Sequence, residues 1–317
     1  MPVEIILNQI LILAIVAVTG VIASWCKVIN EVTKDFIAQI IFNVTLPSML
    51  LTNFSRLDLT PRLLSNSLQF LILAVIVHFF MLFTGWFTSK IMRMKSEDSA
   101  IFKIHSMMGN VIYLGFPVIY SIYGQEGLLY ASLFTIVSNV LMWTVGVMII
   151  TNNKKIPASE QLKHILNPNT IAIILGFILF LLNIKLPRLI LESIGGLGST
   201  NTYLSMIYIG ALLWYARVGA LLKNKNIYIL SFNRLILVPL ILTGLFFVAV
   251  NTGVINPDKM VLSVLILESA MPCMVNVVII VKILGIDNTP VVANVFLTTL
   301  LSILTLPLIL ICLRLIQ

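Results

Sequence analysis

The sequence is short of charged residues, and this scarcity excludes most classes of soluble protein. Only 10% of its 317 residues are Asp, Glu, Lys or Arg, whereas a soluble domain usually carries about 25%. Apolar residues make up 59% of the chain, and its mean hydropathy is +1.07. Such a chain has too little polar surface to cover itself in water, so we expect an integral membrane protein.

Several functional motifs are also missing. The three cysteines, Cys26, Cys273 and Cys312, have no spacing typical of disulfide or metal sites. No Walker-type glycine loop and no segment long enough for a nucleotide-binding domain is present, which argues against an ATP-driven pump. No Ser/His pair, zinc motif or paired Asp supports an enzyme, so we predict no catalytic residues, no metal and no cofactor. The net charge of +8 comes from basic residues in short loops, and we predict no nucleic-acid partner.

Ten apolar stretches of membrane-spanning length fill the chain. A span needs about 20 apolar residues, which places the spans at 4–24, 36–54, 66–89, 101–122, 127–150, 168–186, 200–220, 231–251, 260–282 and 290–313. The longest loop divides them into a first five-helix repeat (1–150), a cytoplasmic linker (151–167) and a second five-helix repeat (168–317). With five spans in each repeat, the second must enter the membrane inverted. The predicted fold class is therefore an all-α integral membrane protein with ten transmembrane helices in two inverted repeats.

The basic residues predict the orientation of the chain. With the N-terminus outside, the inward loops hold 14 Lys and Arg residues, Arg234 among them, and the outward side holds 6, which together make the 20 of the chain. By the positive-inside rule, both termini lie outside the cytoplasmic membrane.

Two spans, one in each half, carry residues that interrupt a helix. The first break is Gly-Asn-Val-Ile-Tyr-Leu-Gly-Phe-Pro at 109–117, and the second is Ser-Ala-Met-Pro-Cys-Met-Val-Asn at 269–276. When Gly124 is aligned with Gly285, the fourth span lies on the ninth without a gap and the breaks coincide. Broken helices in matching positions of two halves indicate the substrate site of a secondary transporter. Two ordinary packing kinks are the alternative, since Pro is common in membrane helices.

The breaks predict the charge of the substrate. If the broken helices cross near the middle of the membrane, the N-termini of their second halves point into one cavity. Each N-terminus carries about half a positive charge, and backbone N–H groups with the amides of Asn110 and Asn276 could hold an anion. We therefore predict a carboxylate substrate. Asn139 in the fifth span and Thr298 in the tenth are further candidate binding residues.

Few ionisable side chains lie inside the spans. Glu268, one turn before Pro272, is the candidate for carrying a coupling proton, unless it lies close enough to the surface to reach water. His78 is interpreted as a packed or interfacial histidine, and His105 as a marker of the cytoplasmic interface. The segment Gly-Gly-Leu-Gly at 195–198 is interpreted as a turn between spans.

Several segments together resemble the auxin efflux carrier family, in its bacterial malate-permease-like branch. They are Phe-Asn-Val-Thr-Leu-Pro at 42–47, the first break at 109–117, Tyr-Gly-Gln-Glu-Gly at 123–127, Ser-Asn-Val-Leu-Met-Trp at 138–143, Asn-Pro at 167–168, Met-Pro-Cys-Met-Val-Asn at 271–276 and Leu-Thr-Leu-Pro at 304–307. Their order and spacing cover nearly the whole chain.

The resemblance implies a fold similar to that of sodium/bile-acid symporters. It implies a scaffold of spans 1, 2, 6 and 7, a mobile transport group of spans 3–5 and 8–10, and a crossing of spans 4 and 9. The crossover residues of the family map onto Asn110, Pro117, Pro272 and Asn276, and we add Gly115, which the alignment places opposite Asn276. The implied function is elevator-type transport of an organic anion such as malate or an auxin-like acid, with a proton or sodium as coupling ion and a homodimer as the assembly.

Two other functions stay open at this point. A cation/proton antiporter on the same fold would need an acidic group at the crossing, and Glu268 is the one candidate because no span has an Asp in its interior. Glu268 is also more acidic than the family resemblance leads us to expect at this position. A membrane receptor that transports nothing would have no water-filled cavity between the breaks.

Overall fold

The computed structural model describes residues 3–151, 162, 165–215, 223–255, 257–283 and 289–313. Every regular element in these residues is a helix, and no strand occurs among them. Three parts of the sequence predictions lie outside the described residues. They are Arg217, which was counted among the inward charges, Gly285, which anchors the repeat alignment, and most of the linker 151–167.

Twelve helices are described in chain order. They are α1 (Val3–Trp25), α2 (Glu31–Arg56), α3 (Pro61–Ile91), α4 (Ser96–Met107), α5 (Val111–Ile150), α6 (Pro168–Leu181), α7 (Arg188–Ser199), α8 (Asn201–Tyr215), α9 (Lys225–Asn251), α10 (Lys259–Ser269), α11 (Asn276–Ile283) and α12 (Thr289–Cys312). Gly124 divides α5 because its φ of 63° and ψ of −146° are not helical. This bend falls in the predicted gap between the spans 101–122 and 127–150.

Five of these helices are long and apolar enough to cross a membrane: Glu31–Arg56, Pro61–Ile91, Val111–Ile150, Lys225–Asn251 and Pro290–Cys312. Two shorter apolar helices, Leu11–Trp25 and Pro168–Leu181, fall within predicted spans as well. The helical, multi-pass membrane fold is thus confirmed. The ten-helix inverted repeat stays a prediction.

Polar side chains cap the N-termini of several helices. Thr60 accepts a hydrogen bond from the Leu63 N–H, and Pro61 follows as the first helical residue of α3. Asn167 accepts from the N–H groups of Asn169 and Thr170 at the start of α6. These caps satisfy N–H groups that the first turn of a helix leaves free.

The distribution of side chains is the reverse of that in a water-soluble protein. Large apolar residues on the outside of α3, such as Ile72, Phe83 and Phe87, are more than half exposed. The interior instead holds polar groups, including Asn169, Asn201 and Thr298, which are completely or almost completely buried. This arrangement suits lipid, where apolar side chains face the solvent and polar groups bond between helices.

Helices α1 and α8 are in backbone contact. A Cβ added to Gly210 would lie 1.9 Å from the Ala17 carbonyl oxygen, and one added to Gly20 would lie 2.1 Å from the Ile207 oxygen. Only glycine fits at such a distance, and small residues at helix interfaces drive this kind of approach in membranes. Helix α2 packs mainly on α6 and α7, and α3 on α4.

The segment 195–198 is helical, so its interpretation as a turn between spans is wrong. These residues belong to α7. A Cβ added to Gly198 would lie 2.7 Å from the backbone of Met49, so the glycine allows α7 to approach α2 closely. Close packing, and not chain reversal, explains this glycine.

Replacing Gly210 by alanine should destabilise the protein, because the added methyl group cannot fit against the α1 backbone. We expect a loss of ~1–3 kcal/mol, seen as a lower melting temperature of the purified protein in detergent. Gly244→Ala is the matched control, since a Cβ there has no neighbour within 4 Å. Equal melting temperatures for the two variants would contradict the described contact between α1 and α8.

Candidate functional site

The two helix breaks meet and bond to each other. The first separates α4 from α5 at residues 108–110, and the second separates α10 from α11 at residues 270–275. Gly109 pairs with Cys273 in an antiparallel bridge. The Asn110 N–H donates to the Pro272 oxygen at 2.7 Å, and the Met274 N–H donates to the Met108 oxygen at 3.2 Å. The two breaks therefore meet, and residues 108–110 and 270–275 together are called the crossing below.

Helix α12 supplies a further partner for the broken backbone. The Cys273 N–H donates to Thr298 Oγ1 at 3.0 Å. The Thr298 hydroxyl in turn donates to the backbone oxygen of Asn294 at 2.7 Å. Thr298 is completely buried. An N–H group left unpaired at this depth would cost several kcal/mol in hydrocarbon, so Thr298 stabilises the irregular backbone of the second break.

The breaks differ in length, and the gap-free alignment of spans 4 and 9 stays a prediction, because its anchor Gly285 lies outside the described residues. The first break has three residues outside helices, 108–110, and the second has six, 270–275. The extra residues follow from the proline in the second break. Pro272 has no N–H and cannot continue a helical hydrogen-bond pattern.

The second halves of both broken helices start at one small cleft. Asn110 caps α5 by accepting from the Tyr113 N–H at 3.3 Å, and Asn276 is the first residue of α11. Both line the cleft together with Asn139. The cleft has a volume of about 10 Å³, which is room for about one water molecule. The remaining lining residues are Gly109, Val111, Ile112, Tyr113, Thr135, Ser138, Met274 and Val275.

The amide groups at the cleft are only partly satisfied. Asn139 donates to the Thr170 hydroxyl on α6 at 3.2 Å. The Nδ2 of Asn110 is buried and has no hydrogen-bond partner. A free amide donor beside two helix N-termini is a local environment that favours a negatively charged ligand.

The other predicted site residues lie around the cleft but do not line it. Gly115 faces Glu268, since an added Cβ would lie 2.9 Å from Glu268 Oε2. Pro117 is buried in the helical part of α5 that follows its first turn. Pro272 and Thr298 serve the backbone of the crossing, as described above.

Glu268 is buried in the protein and does not reach the surface. Its side chain has no exposed area, and neither carboxyl oxygen has a hydrogen-bond partner. It lies in the last turn of α10, directly before the second break. A surface position, which was the alternative from the sequence, is therefore wrong.

Arg234 is the residue that the sequence interpretation placed wrongly. It was counted among the inward loops, but it is completely buried in α9 and contacts both breaks. Its Nε donates to the Met271 oxygen at 2.8 Å, and its Nη1 donates to the Ser106 oxygen. Its place inside the predicted span 231–251 was the signal that could have identified it, since a charge within a span is functional by default.

The two histidines near the crossing are both buried. His105 has no exposed area and its Nδ1 lies 3.1 Å from the Asn294 amide, so it packs inside the protein. Its place at the cytoplasmic interface stays a prediction. His78 is packed, as predicted. Its ring nitrogens lie 2.7 Å from the Ala74 oxygen and 2.7 Å from the Ser138 hydroxyl.

A family model described as "Membrane transport protein" matches residues 5–310. An uncharacterized transporter of Methanocaldococcus jannaschii is 26% identical over 315 residues, which covers 95% of this chain and 97% of the relative. An uncharacterized transporter of Methanothermobacter thermautotrophicus is 26% identical over 306 residues, covering 95% of this chain and 96% of the relative.

Replacing Thr298 by valine should destabilise the crossing, because the Cys273 N–H loses its acceptor while the side chain keeps its shape. We expect a loss of ~1–3 kcal/mol in thermal or denaturant unfolding. Thr299→Val is the matched control, since the Thr299 hydroxyl is buried without a hydrogen-bond partner. If both variants lose the same stability, the bond from Cys273 does not support the second break.

Proposed function

Since the chain belongs to the membrane transport protein family, which is the auxin efflux carrier family that its motifs resemble, we propose that it is a secondary transporter of a small organic anion. The substrate is a carboxylate, such as malate or an auxin-like acid. It crosses the cytoplasmic membrane by alternating access, in a chain whose termini both lie outside.

The observation that carries this proposal is the meeting of two helix N-termini at one cleft. The first turns of α5 and α11 both line it, and Asn110 and Asn276 stand at their starts. The N-terminus of a helix carries about half a positive charge, which attracts an anion. A carboxylate placed there gains from both dipoles and from the amide donors, whereas a cation is repelled.

The small size of the cleft supports alternating access, in which the cleft opens by a conformational change. About 10 Å³ does not hold a carboxylic acid, so the cleft has to open before substrate binds. We propose that α3–α5 and α9–α12 move together against a scaffold of α1, α2, α6 and α8. The contacts between the two groups include the hydrogen bond from Asn139 to Thr170 and the rings of Tyr113 and Tyr208, which are tilted by 41° with centroids 4.9 Å apart. A homodimer through the scaffold belongs to the same proposal.

A cation/proton antiporter on the same fold is the second candidate, because Glu268 is an acid at the crossing. Buried Arg234 disfavours this function. It places a permanent positive charge beside the same breaks, and that charge would repel a bound metal cation.

Counterflow in proteoliposomes tests the proposed function. Vesicles loaded with unlabelled malate, indole-3-acetate or another carboxylate should accumulate the same labelled anion through the purified protein. Protein-free vesicles are the control. No counterflow of any carboxylate, together with sodium-dependent proton flux, would favour the antiporter.

Asn110→Asp should separate the structural role of Asn110 from its role in binding. Aspartate keeps the acceptor for the Tyr113 N–H but removes the amide donor and adds a negative charge. We expect near-normal stability and a loss of anion counterflow of about tenfold or more, since like charges in contact cost several kcal/mol. Asn110→Ala should lower both stability and transport, because it removes the cap as well.

Asn224→Asp is the control for this substitution, because Asn224 caps α9 in the same way outside the cleft. It should leave counterflow unchanged. The proposal would be abandoned if Asn110→Ala and Asn276→Ala both transported a proven substrate at the wild-type rate.

A further inference from the structure

The crossing contains two charged side chains that the cleft itself does not use. Arg234 on α9 and Glu268 on α10 are both completely buried. The two side chains do not form an ion pair, because no nitrogen of Arg234 lies within 4.0 Å of a Glu268 oxygen. Charged groups at this depth are expensive and need a partner or a function.

The charge of Arg234 is used to cap two helices at once. Ser106 and Met271, whose carbonyl oxygens accept its hydrogen bonds, lie at or just beyond the C-terminal ends of α4 and α10. The C-terminus of a helix carries a partial negative charge and unpaired carbonyl groups. A guanidinium group therefore stabilises both ends and keeps its own charge fixed between the breaks.

One donor of Arg234 is left over. Its Nη2 is buried without a hydrogen-bond partner. It lies against Gly109, where an added Cβ would be only 2.2 Å away. Gly109 also lines the cleft, so the open donor is separated from the cleft by backbone alone.

Glu268 has the opposite environment. Both carboxyl oxygens lack a hydrogen-bond donor. Gly115 packs against them, since a Cβ added to Gly115 would lie 2.9 Å from Glu268 Oε2. The side chain also sits at the C-terminal end of α10, where the helix dipole disfavours a negative charge. A carboxyl group in this position is much easier to bury with a proton than without one.

The other titratable groups around the crossing include Tyr113 at the cleft, His78 on α3, His105 on α4 and Cys273 in the second break. The last three lie within the electrostatic field of Arg234. Both nitrogens of His78 have partners, and Cys273 Sγ lies 3.9 Å from the His105 oxygen. The Nε2 of His105 is unpartnered. Among the described residues at the crossing, Glu268 is the acid whose protonation would change the charge most directly.

We propose that Arg234 and Glu268 together make anion binding dependent on a proton, so that one proton enters the crossing with each substrate anion. This inference rests on the proposed anion transport. When Glu268 is ionised, its charge cancels that of Arg234 and the crossing gains little from an anion. When a proton from the aqueous phase is bound to a Glu268 oxygen, the charge of Arg234 is left for the substrate. The proton returns to water when the substrate leaves on the other side.

The linkage between proton and anion binding predicts the direction in which anion affinity changes with pH. Binding of the anion and binding of the proton must favour each other by the same factor. The apparent Kd for the anion is therefore lowest at acidic pH and rises with pH once Glu268 ionises. The rise has a limit of about tenfold per pH unit for one linked proton.

The test measures binding of labelled malate to the full-length protein in nanodiscs, at pH values where both malate carboxyls are ionised. Indole-3-acetate is the probe if malate gives no counterflow. Wild-type protein should bind less tightly as pH rises. Glu268→Gln, which mimics the protonated side chain, should bind tightly at all pH values and keep counterflow, but should lose accumulation driven by a proton gradient. His105→Asn is the control and should keep the wild-type pH dependence.

A second measurement needs no variant and therefore does not depend on correct folding of Glu268→Gln. At a pH where the apparent Kd of the wild-type protein is already rising, adding malate in weakly buffered solution should make the protein take up close to one proton per bound anion. Binding that is independent of pH and takes up no proton would overturn the inference and leave the proposed function intact. A pH dependence that survives in Glu268→Gln would also overturn it. No binding of either anion at any pH would instead contradict the proposed function.

Discussion

The structure depends on satisfying the backbone of two broken helices inside a membrane. Each break leaves carbonyl and N–H groups without helical partners, and lipid offers no hydrogen bonds. The breaks solve this by bonding to each other through Asn110 with Pro272 and Met274 with Met108. Thr298 on α12 and Arg234 on α9 supply the remaining partners. Helices α9 and α12 are therefore as much a part of the crossing as the broken helices.

The same bonds arrange charge at the crossing. The C-terminal ends of α4 and α10 are capped by Arg234, which donates to the Ser106 and Met271 oxygens. The N-terminal ends of α5 and α11 line the cleft directly. The crossing thus combines two helix N-termini, a fixed cation and one unpartnered carboxyl group. Together these features explain why we assign an anion, and not a metal cation, to this site.

Much of this could be predicted from the sequence because membrane helices have a simple requirement. The apolar runs needed for a span identified the helices, and Gly109, Asn110 and Pro272 identified the breaks. Asn110 and Asn276 were expected to meet, and they line one cleft. Apolar runs and helix-breaking residues are local in sequence, so the spans and the breaks can be predicted without knowing how the helices pack.

The errors concern packing between distant segments. Arg234 was assigned to a loop because the positive-inside rule counts charges near span ends and does not see burial. The packing of His105 against Asn294 has no sequence signal, because the two residues are 189 apart in sequence. The close backbone contact of Gly198 with Met49 has no sequence signal either. In each case the deciding neighbour comes from another helix, which a single sequence does not specify.

The most direct measurement is protection of the cleft by substrate. Val275, which lines the cleft, would be changed to cysteine in a background of Cys26→Ser, Cys273→Ala and Cys312→Ser. A membrane-impermeant thiol reagent should modify this cysteine in vesicles, and a transported carboxylate should slow the modification. Arg188→Cys at the start of α7, where the charged side chain is 90% exposed, should react at the same rate with or without the anion. A cleft cysteine that no carboxylate protects would contradict the account that the crossing is an anion site.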